Sequence, residues 1–317
     1  MPALSVIFDV AFPVFALVGI GYLAGRTRVM GSEATVALNA FVAAFALPAL
    51  LFGLLARARM DDIVNRDFII VMALAMFGSQ LAAMALARWW LRLPWIDTVL
   101  QGLAAGFGNV GYMGVPICIA GFGPAGALPA TLTVVIGAAA MLPLCVVLIE
   151  LGRHAGRGGR RTVQTVLLAM LRNPLLLAIA LGLICAGSET VLPAALQRLV
   201  DLLSAAAAPC ALFAIGLFLS DKSLAANRRE VGLTVAVKLL LQPALAAALV
   251  PAFLGFDDMW GRSAVLLAAL PSATNAFLLA RQYGRFIAET SAAVFLSTLA
   301  SVLTVSGVLV LLRVGMH

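Results

Sequence analysis

Gly106-Phe107-Gly108-Asn109-Val110-Gly111-Tyr112-Met113-Gly114-Val115-Pro116 lies inside a long apolar stretch and cannot form an uninterrupted helix. In a helix interior, glycine costs about 1 kcal/mol and proline about 3 kcal/mol relative to alanine. Pro116 also removes a backbone donor and strands a carbonyl. Gly106, Gly108 and Gly111 read literally as G-x-G-x-x-G, which means dinucleotide binding only after a strand in a βαβ unit. Here the pattern sits within an apolar span, so that reading fails. Unpaired backbone at membrane depth is tolerated only where it is buried in protein or lines a cavity.

The rest of the chain supplies the membrane context. Its 317 residues are 63% hydrophobic and 11% charged, with a mean hydropathy of +1.08. A soluble domain carries roughly 25% charged residues. The composition therefore reads as an all-α integral membrane protein, long enough for one compact domain without a large soluble module. No basic region precedes the first apolar run, so the first helix is expected to be retained. Cys118, Cys145, Cys185 and Cys210 lie in apolar segments and read as packing residues, with no disulfide inferred. His154 and His317 are far from any cysteine or carboxylate cluster, and no metal or cofactor is expected.

A hydrocarbon core about 30 Å thick needs about 20 apolar residues per helix. Arg, Lys, Pro and Gly clusters then mark ten spans, roughly 5–25, 33–56, 68–91, 97–121, 127–151, 167–187, 196–219, 231–254, 260–281 and 287–312. The longest basic loop holds Arg153, Arg157, Arg160 and Arg161, and faces the cytoplasm by the positive-inside rule. Alternating outward places fourteen cationic residues inside and six outside, with Lys238 left within a span. Lys222 falls inside and Arg313 outside. Both termini are predicted outside a cell (inner) membrane. The charge of +7 is a topology signal beside anionic lipid, not a nucleic-acid footprint.

A shift of 161 residues brings the halves into register, with Pro48 to Phe52 over Pro209 to Phe213 and Phe122-Gly123 over Tyr283-Gly284. Residues 1–160 and 161–317 then form two five-span repeats. An odd number of spans inverts the second copy, as in many secondary transporters. The ninth span carries a matching interruption, Leu270-Pro271-Ser272-Ala273-Thr274-Asn275-Ala276-Phe277. Ser272 and Thr274 can bond freed backbone groups there. Paired broken helices are the best sequence pointer to a transporter site, and their exposed N-termini suit an anion such as a carboxylate.

Gly108 to Pro116 resembles the fourth-helix motif of the auxin efflux carrier family. Pro271 to Phe277, with Ala280, Tyr283 and Gly284, looks like its ninth helix, and Ser297 to Thr304 like its last. The resemblance covers essentially the whole chain. Without a large central loop, the chain looks like a short bacterial member, among which some are described as malonate transporters. The resemblance implies a bile-acid/sodium symporter-like fold, with a scaffold of spans 1, 2, 6 and 7 and a mobile domain of spans 3–5 and 8–10. Spans 4 and 9 are expected to cross at Pro116 and Pro271. Organic anions as substrates, elevator-like movement and a homodimer through the scaffold are further implications.

The candidate binding set is Asn109, Gly111, Gly114 and Pro116 in the fourth span, Pro271, Ser272, Thr274 and Asn275 in the ninth, Lys238 and Gln242 in the eighth, and Asn39 in the second. Lys238 either neutralises a substrate carboxylate or snorkels to the headgroups. Asn39 either faces the site or bonds another helix. Asp9, Glu150 and Asp201 sit near helix ends, so no carboxylate pair announces a coupling ion, and H⁺ and Na⁺ are not separable. A membrane-embedded enzyme acting on a lipid or prenyl substrate would need clustered acids holding a metal. Asp61-Asp62 and Asp257-Asp258 lack further acids at helical spacing. A transporter-like sensor is the other alternative.

Overall fold

A computed structural model of the chain describes residues 7–63, 65–153, 168, 170–188, 190–220 and 226–312. His154, Arg157, Arg160, Arg161, Lys222, Arg313 and His317 lie outside the described residues. The described chain is helical: α1 (Phe8–Arg26), α2 (Ser32–Ala56), α3 (Arg66–Trp89), α4 (Trp95–Gly106), α5 (Val110–Phe122), α6 (Pro124–Arg153), α7 (Pro174–Gly187), α8 (Ala194–Ser220) and α9 (Arg228–Phe253), α10 (Met259–Ala268), α11 (Thr274–Tyr283) and α12 (Ile287–Leu311). Seven of them, α1, α2, α3, α6, α8, α9 and α12, are long and apolar enough to cross a membrane. Among the described residues the one β-type contact is an isolated antiparallel bridge between Gly108 and Ser272.

The expected fourth and ninth spans are each two half-helices, α4 and α5, α10 and α11, separated by short extended segments. The other spans run through their prolines. Wide π turns at Ile7–Ala11, Val42–Ala46, Val110–Gly114, Gly137–Met141 and Val237–Leu241 each end two residues before a proline: Pro13, Pro48, Pro116, Pro143 and Pro243. A proline ring clashes with the carbonyl four residues back and cannot donate to it. Widening the preceding turn accommodates both defects without ending the helix.

Two closely packed sets of helices stand out, with further contacts between them. In the first, α1 lies along α8, and α2 packs on both α7 and α8. Side chains larger than hydrogen at Gly21 and Gly216 would strike the facing backbone, so these glycines let α1 and α8 approach closely. In the second group, α3 packs on α4 and α9, α9 on α10 and α12, and α12 on α11. Arg285, after α11, grips Asp97 in the first turn of α4 with two bonds of 3.0 and 2.7 Å. The large apolar side chains left outward, such as Leu303 at 79% and Leu311 at 82% exposed, suit a lipid-facing surface.

Candidate functional site

The two interruptions satisfy each other. The Asn109 N–H donates to the Pro271 carbonyl at 2.8 Å, and the Ala273 N–H donates to the Phe107 carbonyl at 2.9 Å. This pair of bonds frames Gly108 and Ser272 as a two-strand contact one rung long. The expected crossing at Pro116 is thereby corrected. The chains cross at Gly108, and Pro116 lies eight residues on, in the early turns of α5 after its wide turn. Pro271 does lie at the crossing, through its carbonyl.

Two half-helices, α4 and α10, end at the crossing, and each leaves carbonyls without intrahelical donors. Side chains from elsewhere supply them. Ser272 Oγ donates to the Ala104 carbonyl at 2.7 Å, and Gln242 Nε2 to the Gly106 carbonyl at 2.9 Å. Lys238 Nζ donates to the Ala268 carbonyl at 2.8 Å. The Ser272 N–H is held in turn by Ser297 Oγ of α12 at 3.1 Å. Lys238, Gln242 and Ser272 are all buried, Lys238 completely. Lys238 therefore does not snorkel.

The other two half-helices, α5 and α11, begin at the crossing, and their N-termini border a cavity. Its volume is about 60 Å³, room for about two waters at liquid density. Phe107, Gly108, Asn109, Gly111, Tyr112, Thr133, Ala273 and Asn275 line it, with Leu47 of α2 and Leu175 of α7 on the far wall. Both helix groups thus contribute. Among the described residues, no Asp, Glu, Lys, Arg or His is in the lining. Asn109 is 4% exposed, and its Nδ2 has no hydrogen-bond partner among the described residues. A buried donor left unpaired costs roughly 1–3 kcal/mol. A ligand with an acceptor oxygen would recover that cost.

Asn109, Gly111 and Asn275 thus meet at the cavity. Gly114 serves packing instead: a Cβ there would lie 2.9 Å from Leu267 and Leu270 of the α10 end. Thr274 is half-buried at the start of α11 and does not line the cavity. Asn39 donates to the Thr35 carbonyl of its own helix at 2.9 Å and is also absent from the lining. Thr133, whose hydroxyl bonds the Pro129 carbonyl, carries no signal in sequence, whereas Tyr112 stands within the glycine-rich run itself. A larger cavity of about 670 Å³ opens between the ends of α2 and α7. Its arginines are already engaged, Arg57 with Asp201 at 2.6 Å and Arg59 with Asp61 at 3.6 Å.

A multi-pass helical protein whose broken helices meet at a small buried cavity belongs among membrane transporters. Comparison with known proteins agrees, because the family model described as "Membrane transport protein" matches residues 6–309. The chain belongs to this family, the auxin efflux carrier family. It is 34% identical over 313 residues, 98% of this chain and 97% of the other, to a Rhizobium meliloti (strain 1021) protein named "Putative malonate transporter". An "Uncharacterized transporter" of Methanothermobacter thermautotrophicus is 27% identical over 300 residues, covering 93% of this chain and 95% of the other. The "Uncharacterized transporter YfdV" of Escherichia coli (strain K12) is 24% identical over 301 residues, covering 92% and 93%.

Proposed function

We propose that this protein is a secondary active transporter for a small carboxylate, malonate or a close relative, and that the carboxylate binds at the crossing. The observation that carries this reading is the unpaired Asn109 amide in a cavity bordered by two half-helix N-termini. Each N-terminus acts as about half a positive charge. Two of them attract an anion without any cationic side chain in the wall. The small volume favours a substrate of a few heavy atoms. The name of the Rhizobium meliloti relative points to the same substrate class.

In this reading ten spans form two inverted five-span repeats in a cell (inner) membrane, with both termini outside. The packing of α1, α2, α7 and α8 on one another supports a scaffold built from them. The remaining helices move as a unit, and the cavity, walled by Leu47 and Leu175 on the scaffold side, opens alternately to either face. A homodimer through the scaffold would hold the fixed part still. The driving ion is H⁺ or Na⁺.

Uptake of radiolabelled malonate into proteoliposomes, under imposed proton or sodium gradients, tests the proposal. Saturable uptake is expected in the wild type. Asn109→Ala and Asn275→Ala should each lower it at least tenfold while eluting as folded protein. Uptake unchanged in both variants would remove the crossing as the site, and no uptake under any gradient would remove malonate.

A further inference from the structure

Among the described residues Lys238 is the one charged side chain that is completely buried, and it does not line the cavity. Its ammonium donates to the last carbonyl of α10, Ala268. A Cβ built on Gly108 would lie 3.4 Å from both Lys238 Cε and Nζ, so the charge rests against the crossing backbone. Gly108 faces the cavity, and the ammonium stands behind it. One turn further along α9, Gln242 donates to the last carbonyl of α4, Gly106. No carboxylate of the described residues lies within ion-pair distance of Lys238.

A buried charge needs compensation, and here it comes from backbone. The C-terminal ends of α4 and α10 converge at the crossing, each equivalent to about half a negative charge. Together they balance about one cation. The opposite ends, the N-termini of α5 and α11, balance about one anion on the cavity side. The crossing is thus charge-matched in layers: ammonium, helix C-termini, helix N-termini, substrate carboxylate.

We propose that the Lys238 ammonium is a built-in cation that occupies the place a bound metal ion would otherwise take at the crossing. The substrate carboxylate and Lys238 then face each other across the crossing without touching, and no sodium ion is needed to hold the half-helices together. The inference rests on the crossing being the transport site, but its test reads the substrate-free protein. Failure of malonate as a substrate would leave it standing.

The test is thermal unfolding of the purified full chain in detergent, in NaCl and in choline chloride at equal ionic strength. Wild type is expected to gain less from Na⁺ than the Lys238 variants do. Lys238→Gln and Lys238→Ala should unfold lower in choline. There the Ala268 carbonyl and the Gln242 Oε1, which lacks a partner in the wild type, become ligands for an added cation. Na⁺ should then raise the unfolding temperature of the variants by about 3 °C or more. Propylammonium, the fragment that Lys238→Ala removes, should do the same for that variant. Na⁺ stabilising the wild type as much as it stabilises the variants would overturn the proposal. So would variants that respond to neither Na⁺ nor propylammonium. If the variants yield no folded protein unaided, recovery of folded Lys238→Ala with propylammonium supports the proposal, and failure to recover it overturns it.

Discussion

The first interruption is made by glycines and the second by a proline and a serine. From Gly106 to Gly114, both ends counted, the chain places four glycines, whereas the stretch from Arg262 to Tyr283 holds none. The glycines mark where other elements come close. A Cβ on Gly106 would lie 2.9 Å from the Met76 carbonyl and the Gln80 side chain, and one on Gly108 would meet Lys238. The second interruption offers side-chain chemistry instead, with Ser272 Oγ capping the Ala104 carbonyl of the first. One arm makes room and the other supplies donors. Neither arm would be stable at membrane depth alone, because each leaves backbone groups that only the other satisfies.

The largest effect is expected from filling the first arm. Gly106→Val pushes a branched side chain against a backbone carbonyl that cannot retreat, a cost of about 3 kcal/mol. It should show as loss of the monodisperse peak in size-exclusion chromatography. The valine substitution at Ala276 in the second arm, which begins a regular helix, gives the contrast: milder destabilisation there would confirm that only the first arm is packed on backbone. Next comes Asn109→Ala, expected to lower uptake at least tenfold, about 1.4 kcal/mol, with little change in unfolding temperature. Ser272→Ala orphans the Ala104 carbonyl and should cost about 1–2 kcal/mol of stability, read by thermal unfolding. An unchanged unfolding temperature would show that the second arm does not cap the first. The smallest effect falls on the Asp97–Arg285 pair, half exposed on the arginine side. Asp97→Asn should cost under about 1 kcal/mol, and less as salt is raised.

Both arms were legible in sequence because glycine and proline announce a broken helix wherever a membrane span requires a continuous one. The point of crossing was not. Pro116 stands out in the sequence, yet a wide turn at Val110–Gly114 absorbs its missing N–H, and the helix continues through it. Gly108, the residue at the crossing, looks like its glycine neighbours until its partner Ser272 is known. Lys238 was legible as an anomaly, since a charge inside a span demands a reason. Its partner is a backbone carbonyl thirty residues away, and backbone acceptors leave no trace in residue identity. The same holds for Asn39, whose amide is consumed by its own helix. Asp97 and Arg285 lie 188 residues apart at helix ends, where charges are ordinary and pairing depends on the fold.

The most direct measurement is equilibrium binding of radiolabelled malonate to the purified protein, comparing wild type with Asn109→Asp. That substitution keeps the shape of the side chain and replaces its unpaired donor with a negatively charged acceptor. Binding at the crossing predicts affinity weakened by about a hundredfold or more, about 2.7 kcal/mol, in a variant that remains folded. Equal affinity in the two proteins would contradict it.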